Sequence, residues 1–322
     1  MGNFRNFAAE NRKSIMTDKT KGFILGAIAA ATYGTNPLFA IPLYADGMDV
    51  SSVLFLRYSF AVPMVWVMMA VRGRTPKIAP RKLPMLVVMG VMLALSSIGL
   101  FTSYNYMDSS VASTLLFVYP VMVALIMTLV YRERLSGVTI GCIGVVLCGI
   151  ALLNRTVSGV SLSMMGIMLV MLASLTYAIY IVGINRPVLK EMPTLTVTFY
   201  VLIIGALIFG GMLLHERQLL LPRHWYFWGN ILALAVLPTI VSFACTTSAI
   251  QYIGPTPTAI LGALEPVVAV IFGITVFGDV LSLRQVFGVF LILAAVTVII
   301  GGGNITRPLT RFRHLFPRLH RR

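Results

Sequence analysis

Apolar positions in this chain fall into long charge-free runs, and the short segments between them hold nearly all the charge. A helix crossing the roughly 30 Å hydrocarbon layer needs about 20 mostly apolar residues, so the runs can be counted as spans. Seven are uninterrupted: 22–45, 83–107, 109–131, 135–154, 156–185, 192–214 and 285–306. The stretch 49–71 is an eighth, apolar except for Arg57. From Trp225 to Leu264, 40 residues pass without a charge. As one helix they would extend about 60 Å, twice what the layer accepts, so the run must fold back. The segment Gln251-Tyr252-Ile253-Gly254-Pro255-Thr256-Pro257 supplies the turn chemistry. The span after it, 257–277, contains Glu265 near its middle. This predicts an all-α membrane protein of ten transmembrane helices, preceded by a basic segment 1–21 and followed by a basic tail 304–322.

Composition agrees: 58% of residues are hydrophobic, 11% are charged, and the mean hydropathy is +0.91. That excludes disordered, collagen-like and disulfide-stapled classes and argues against a soluble fold. Lys19 and Lys21 precede the first run as they would in a signal peptide. The run is near 22 residues, however, longer than the usual 7 to 15, so it reads as a retained helix. Asn6 stands where a myristoylation signal needs Ser or Thr.

The formal charge of +15 invites a nucleic-acid reading until the charges are placed. Ten spans put both termini on one side. Twenty of the 25 basic residues then fall on that side, in the N-terminal segment, the loops around Arg72–Lys82, Arg132–Arg134 and Arg186–Lys190, and the tail. Arg155, Arg217, Arg223 and Arg284 lie opposite, and Arg57 lies within a span. The positive-inside rule makes both termini cytoplasmic. Charge spread over short loops does not suit nucleic acid; the basic tail suits contact with anionic membrane lipids. Cys142, Cys148 and Cys245 sit in apolar runs and read as small core residues. The four histidines all fall outside the runs. No metal site and no cofactor are expected.

The chain repeats itself weakly at an offset of 144 to 146 residues. Gly22 and Thr32-Tyr33 fall on Gly166 and Thr176-Tyr177, and Ser96, Tyr106 and Pro120-Val121 fall on Ser242, Tyr252 and Pro266-Val267. Farther on, Glu133-x-Leu135-Ser136 falls on Asp279-x-Leu281-Ser282. The repeats are 22–154 and 155–303, five helices each. Five is odd, so the second enters the membrane from the opposite side. Inverted duplication is a signature of secondary transporters, whose substrate site lies near the midplane between the halves.

Ionisable residues inside a bilayer cost about 2.5 to 3.5 kcal/mol on insertion scales and so mark cavities or partners. Arg57 and Glu265 are the candidates. Pro266 follows Glu265 and frees a carbonyl one turn earlier. A carboxyl there can take a proton or a substrate amine, or can be purely structural. Arg57 can snorkel outward, pair with Glu265, or attract a substrate carboxylate. Asn36-Pro37, Tyr119-Pro120 and Pro238 are expected to break the first, fourth and eighth helices. Tyr177 and Tyr180, three apart, share a helix face. Tyr33, Asn36, Tyr119, Tyr177 and Tyr180 therefore join Arg57 and Glu265 as candidate substrate-pathway residues. Tyr104 and Tyr106, at a span end, read first as interfacial belt residues. Gly22-x-x-x-Gly26 and Gly141-x-x-Gly144 read as close helix packing.

Taken together, Asn36 in a broken first helix, Arg57 in the second, Tyr119-Pro120 leading to Arg132-Glu133-Arg134-Leu135, and Glu265-Pro266 leading to Phe277-Gly278-Asp279-x-Leu281 resemble the EamA-type exporters of the drug/metabolite transporter superfamily. The resemblance runs from about Gly22 to Gly302; the family usually has Glu where Asp279 stands. It implies a central cavity lined mainly by helices one, three, four, six, eight and nine and worked by alternating access. It also implies export of small polar metabolites, such as amino acids, across a bacterial inner membrane, with a single copy sufficient and Glu265 coupling transport to protons. A passive channel and a multidrug exporter of organic cations are the rival expectations; a membrane enzyme would need a catalytic cluster that the scattered extramembrane His, Asp and Glu do not provide.

Overall fold

The computed structural model of the protein describes residues 2–107, 112, 115–132, 136–153, 163–216, 218–277, 283–284 and 286–298. The described secondary structure is helical throughout. Among the described residues, six helical stretches are long and apolar enough to cross a membrane. Their outward faces keep large apolar side chains exposed, among them Trp66, Met168 and Leu207. A water-soluble protein would bury these; a helix solvated by lipid does not need to.

The first half comprises α1 (Gly2–Tyr33), α2 (Asn36–Ala45), α3 (Val50–Val71), α4 (Leu83–Ser103), α5 (Tyr119–Tyr131) and α6 (Gly137–Leu153). In the second are α7 (Met164–Ile184), α8 (Thr194–Glu216), α9 (Phe227–Ala235), a π-helical segment (Val236–Val241), α10 (Ser242–Ile253), α11 (Pro255–Leu261), α12 (Leu264–Phe277) and α13 (Val286–Val298). The helix that contains the first span already runs from Gly2, through the basic segment expected ahead of it. The fold-back after Tyr252 comes where the turn chemistry places it: α10 ends at Ile253, Gly254 takes φ +87°, and α11 starts at Pro255. The charged motifs at 133–135 and 278–282 lie outside the described residues.

The packing exchanges the halves. α1 lies against α10, and its repeat counterpart α7 lies against α4, the counterpart of α9 to α10. α5 packs on α7 as α12 packs on α1, while α3 meets its own counterpart α8. The contacts match down to single residues. A Cβ on Gly22 would stand 2.6 Å from Ile253 and 2.7 Å from Tyr252; on Gly166 it would stand 2.5 Å from Met107 and 3.2 Å from Tyr106. Thr32 donates its hydroxyl to the Ile28 carbonyl at 2.8 Å, and Thr176 does the same to Leu172 at 2.9 Å.

Several expectations need correcting. Gly22 and Gly26 are close-packed, but among the described residues nothing approaches Gly141 or Gly144; Gly149 supplies the contact in that helix, against Gly288 and Ile292. Cys142 is buried, whereas Cys148 faces outward and Cys245 is half-buried. Pro238 does not break its helix, which passes through it in π register. A proline leaves the carbonyl four residues earlier without its donor, and in an apolar medium that carbonyl must find another. For Pro238 it is the Leu234 carbonyl, taken by the Thr239 hydroxyl at 2.7 Å. For Pro120 it is the Leu116 carbonyl, taken by Ser174 of α7 at 3.0 Å, and for Pro266 the Gly262 carbonyl, taken by the Glu265 N–H at 2.9 Å. Each freed carbonyl thus already accepts one hydrogen bond.

Candidate functional site

The helix interruptions converge at mid-chain depth. α1 stops at Tyr33, Gly34 and Thr35 turn, and Asn36 opens α2 with Pro37 next, where a missing N–H costs nothing. Tyr119 opens α5, and Glu265 is the second residue of α12. Two cavities meet here. The first, about 30 Å³, is lined by Tyr33, Asn36, Pro37, Tyr104, Glu265 and Pro266, with Leu100, Leu116 and Phe117 as its apolar wall. A second of about 10 Å³ lies among Tyr119, Tyr177, Thr246, Thr258 and again Glu265. A water needs about 10 to 15 Å³, so these volumes admit water and exclude a metabolite. Glu265 is common to the linings of both chambers.

An aromatic cluster surrounds that carboxyl. Tyr33 and Tyr177, equivalent under the duplication, stack on each other at 6.3 Å and 13°. Tyr119 meets Tyr177 edge-on at 4.9 Å, and Tyr180 stacks on Tyr177 at 6.1 Å. The offset of 146 residues that matches Pro120 to Pro266 also matches Tyr119 to Glu265. The two halves therefore present a phenol and a carboxyl at the same structural position.

Arg57 is 1% exposed and points inward, which excludes snorkelling. Its Nε donates to the Thr239 hydroxyl, Nη1 to Asn36 Oδ1 at 2.9 Å, and Nη2 to the Pro238 carbonyl at 3.0 Å. Phe101, Tyr58 and Phe243 place their rings 5.5 to 5.9 Å from the guanidinium carbon. Among the described residues neither Arg57 nor Glu265 is in an ion pair, so direct pairing of the two is also not what is found. Arg57 and Tyr180 stand behind the cavity walls; the other expected pathway residues line them.

Four functional candidates were missed or discounted. Tyr104 reads as a belt residue, but α4 stops at Ser103 and the turn that follows folds Tyr104 onto the first cavity, while Tyr106 stays 45% exposed. Thr239, Thr246 and Thr258 lie in a charge-free run with nothing in the sequence to single them out.

The ends of the molecule differ. At one, the Asp46 side chain accepts the Arg223 N–H at 2.7 Å and lies 2.8 Å from Nδ1 of His224, tying the end of α2 to the 218–226 loop. Desolvation pushes this carboxyl up, but the His224 and Arg223 hydrogen bonds outweigh it and hold it below its ordinary 3.8. At the other, Arg74, Lys77, Lys82 and Glu191 line a groove of about 370 Å³.

A sequence model of the EamA-like transporter family matches residues 20–155 and, a second time, residues 164–301. The chain belongs to the EamA-like transporter family. The double match puts the same family unit on both halves and makes the protein a multi-pass membrane transporter, from a family of transporters and not of enzymes. No curated protein matches the sequence. Chains of known structure do: one crystal structure superposes with a TM-score of 0.74 over 90% of this EamA-like chain and 99% of its own, at 17% identity. At that identity the likeness is one of fold.

Proposed function

We propose that this EamA-like protein is a secondary active exporter of small polar metabolites, amino acids or related compounds, working by alternating access with Glu265 as the proton-coupling group. One observation carries the reading: the same carboxylic residue, Glu265, lines both chambers. A proton-coupled carrier needs a titratable group that two sides reach in turn, and intramembrane carboxyls commonly serve as proton relays. Ten spans with both termini cytoplasmic, in a bacterial inner membrane, fit the distribution of twenty of 25 basic residues. Lipids solvate the exposed apolar faces, and one copy holds the whole site.

Export of organic cations is the second reading, favoured by tyrosine rings clustered around a carboxyl. Water-sized cavities sealed by stacked tyrosines disfavour a passive channel. Counterflow in proteoliposomes separates these classes: internal unlabelled substrate accelerates uptake of label by a carrier and not by a channel. Glu265→Gln should lose accumulation driven by an imposed pH gradient. Full gradient-driven accumulation by that variant would remove Glu265 from the coupling role. Terminal tags detected from outside the cell would overturn the orientation.

A further inference from the structure

Asn36 is 2% exposed and lines the first cavity, and its side-chain nitrogen has no hydrogen-bond partner. Chemistry fixes which way its amide faces. A guanidinium has five donors and no acceptor, so the atom facing Arg57 must be the amide oxygen, and the NH2 group is turned away from it. Arg57 is held in turn by Thr239 and the Pro238 carbonyl, so it cannot swing aside without leaving those acceptors empty. The result is a buried donor, turned away from Arg57, on a residue that lines the chamber of Glu265, and it is left unsatisfied.

Asn36 is also the first residue of the ten-residue helix α2, whose start has no side-chain cap: the Thr35 hydroxyl donates instead to the Thr32 carbonyl at 2.7 Å. The start of that helix, Asn36 and Pro37, and the unpartnered amide therefore lie along the same cavity, and the positive end of a helix favours an anion nearby. Behind both stands an arginine with no anionic partner among the described residues.

We infer that Asn36 Nδ2 and the start of α2 bind a carboxylate of the transported substrate, with Arg57 as the positioning residue that orients the amide and supplies the compensating charge. This rests on the reading of the Glu265 chambers as the transport site and narrows its substrate class. With an ionised Glu265, a zwitterion places its ammonium at Glu265 and its carboxylate at Asn36, and the buried charges sum to zero. A plain cation would leave one positive charge uncompensated in a low-dielectric site. The geometry therefore favours the amino-acid reading over the organic-cation one.

Counterflow by the purified protein in proteoliposomes tests this with three probes: L-leucine, isopentylamine, which lacks its carboxylate, and 4-methylpentanoate, which lacks its amine. The unaltered protein should half-saturate with leucine at a concentration about tenfold lower than with isopentylamine, the effect of one hydrogen bond to a charged group. Asn36→Asp keeps an oxygen for Arg57 and puts a second where the NH2 was. It should raise the half-saturation for leucine about tenfold and lower that for isopentylamine, whose charge the added carboxylate compensates. Arg57→Lys should raise the half-saturation for leucine by less and leave the maximal rates standing; a purely structural loss would lower both maximal rates together. Equal half-saturation of the unaltered protein by leucine and isopentylamine overturns the carboxylate site while leaving the transport site standing, and needs no variant to fold. Asn36→Asp affecting both probes alike overturns it too. No counterflow with any of the three sinks this inference together with the amino-acid reading beneath it.

Discussion

The two ends of the molecule present the same residues in different states. Asp46 and Arg223 fall on Glu191 and Lys77 at offsets of 145 and 146, so the duplication supplies both ends with an acid from the first span of one half and a base from the loop after the second span of the other. Around Asp46 the seam between the halves is drawn shut by hydrogen bonds to Arg223 and His224. Around Glu191 the equivalent seam stands open as a groove. An exact twofold would make the ends identical. The contrast teaches that the duplicated architecture is occupied asymmetrically: one end latched, the other parted, and the centre sealed by Tyr33 on Tyr177.

The sharpest way to break the comparison is at the centre, where matched positions hold different chemistry. Glu265→Gln should lower gradient-driven accumulation by about 100-fold, near the upper range of a coupling free energy, whereas Tyr119→Phe should leave coupling intact. Transport into liposomes under an imposed pH gradient checks both, and a Tyr119 variant as damaged as the Glu265 one would mean that the two halves contribute equally. Next comes Arg57, whose counterpart is apolar, Leu202 or Ile203. Arg57→Lys keeps the charge but cannot serve three acceptors, and should cost about 2 kcal/mol, seen as a lower midpoint of thermal unfolding in detergent.

A smaller effect sharpens the symmetric part. Gly22→Val and Gly166→Val each force a side chain into matched contacts and should destabilise by similar amounts, about 1 to 3 kcal/mol. Thermal unfolding of the pair would expose any imbalance. Smallest is the latch. Its Asp46 carboxyl lies below the ordinary 3.8 in the folded chain, so its stabilisation is complete above that value and is lost as pH falls through the lower folded value. Asp46→Asn should flatten the acid limb of unfolding measured against pH.

Much of this was legible in the sequence because lipid imposes simple rules. The six long spans among the described residues follow from run length, and the fold-back follows from Gly254-Pro255, while the repeat offset gives the equivalence of Tyr33 and Tyr177 but not their stacking across the halves. What escaped was three-dimensional satisfaction. Proline marks an orphaned carbonyl, yet nothing in the order of residues says that Ser174, 58 positions away from Leu116, will cap one, or that Thr239 will cap another and also accept from Arg57. Tyr104 was misread because α4 stops at Ser103, four residues before its apolar run ends, and the turn that follows brings the side chain to the cavity. The direction of Arg57 was equally hidden, since length alone lets it reach either way.

The placement of Arg57 also bears on how the protein is made. Its acceptors Pro238 and Thr239 follow it by 181 and 182 residues. At about 5 to 20 residues per second of synthesis, roughly 10 to 40 seconds separate translation of the arginine from translation of its acceptors. Throughout that interval the second span is a segment whose central cation has no permanent home. Until the segment Val236–Val241 emerges, Arg57 has only Asn36 of its three acceptors, so completion of the site is a late event in synthesis.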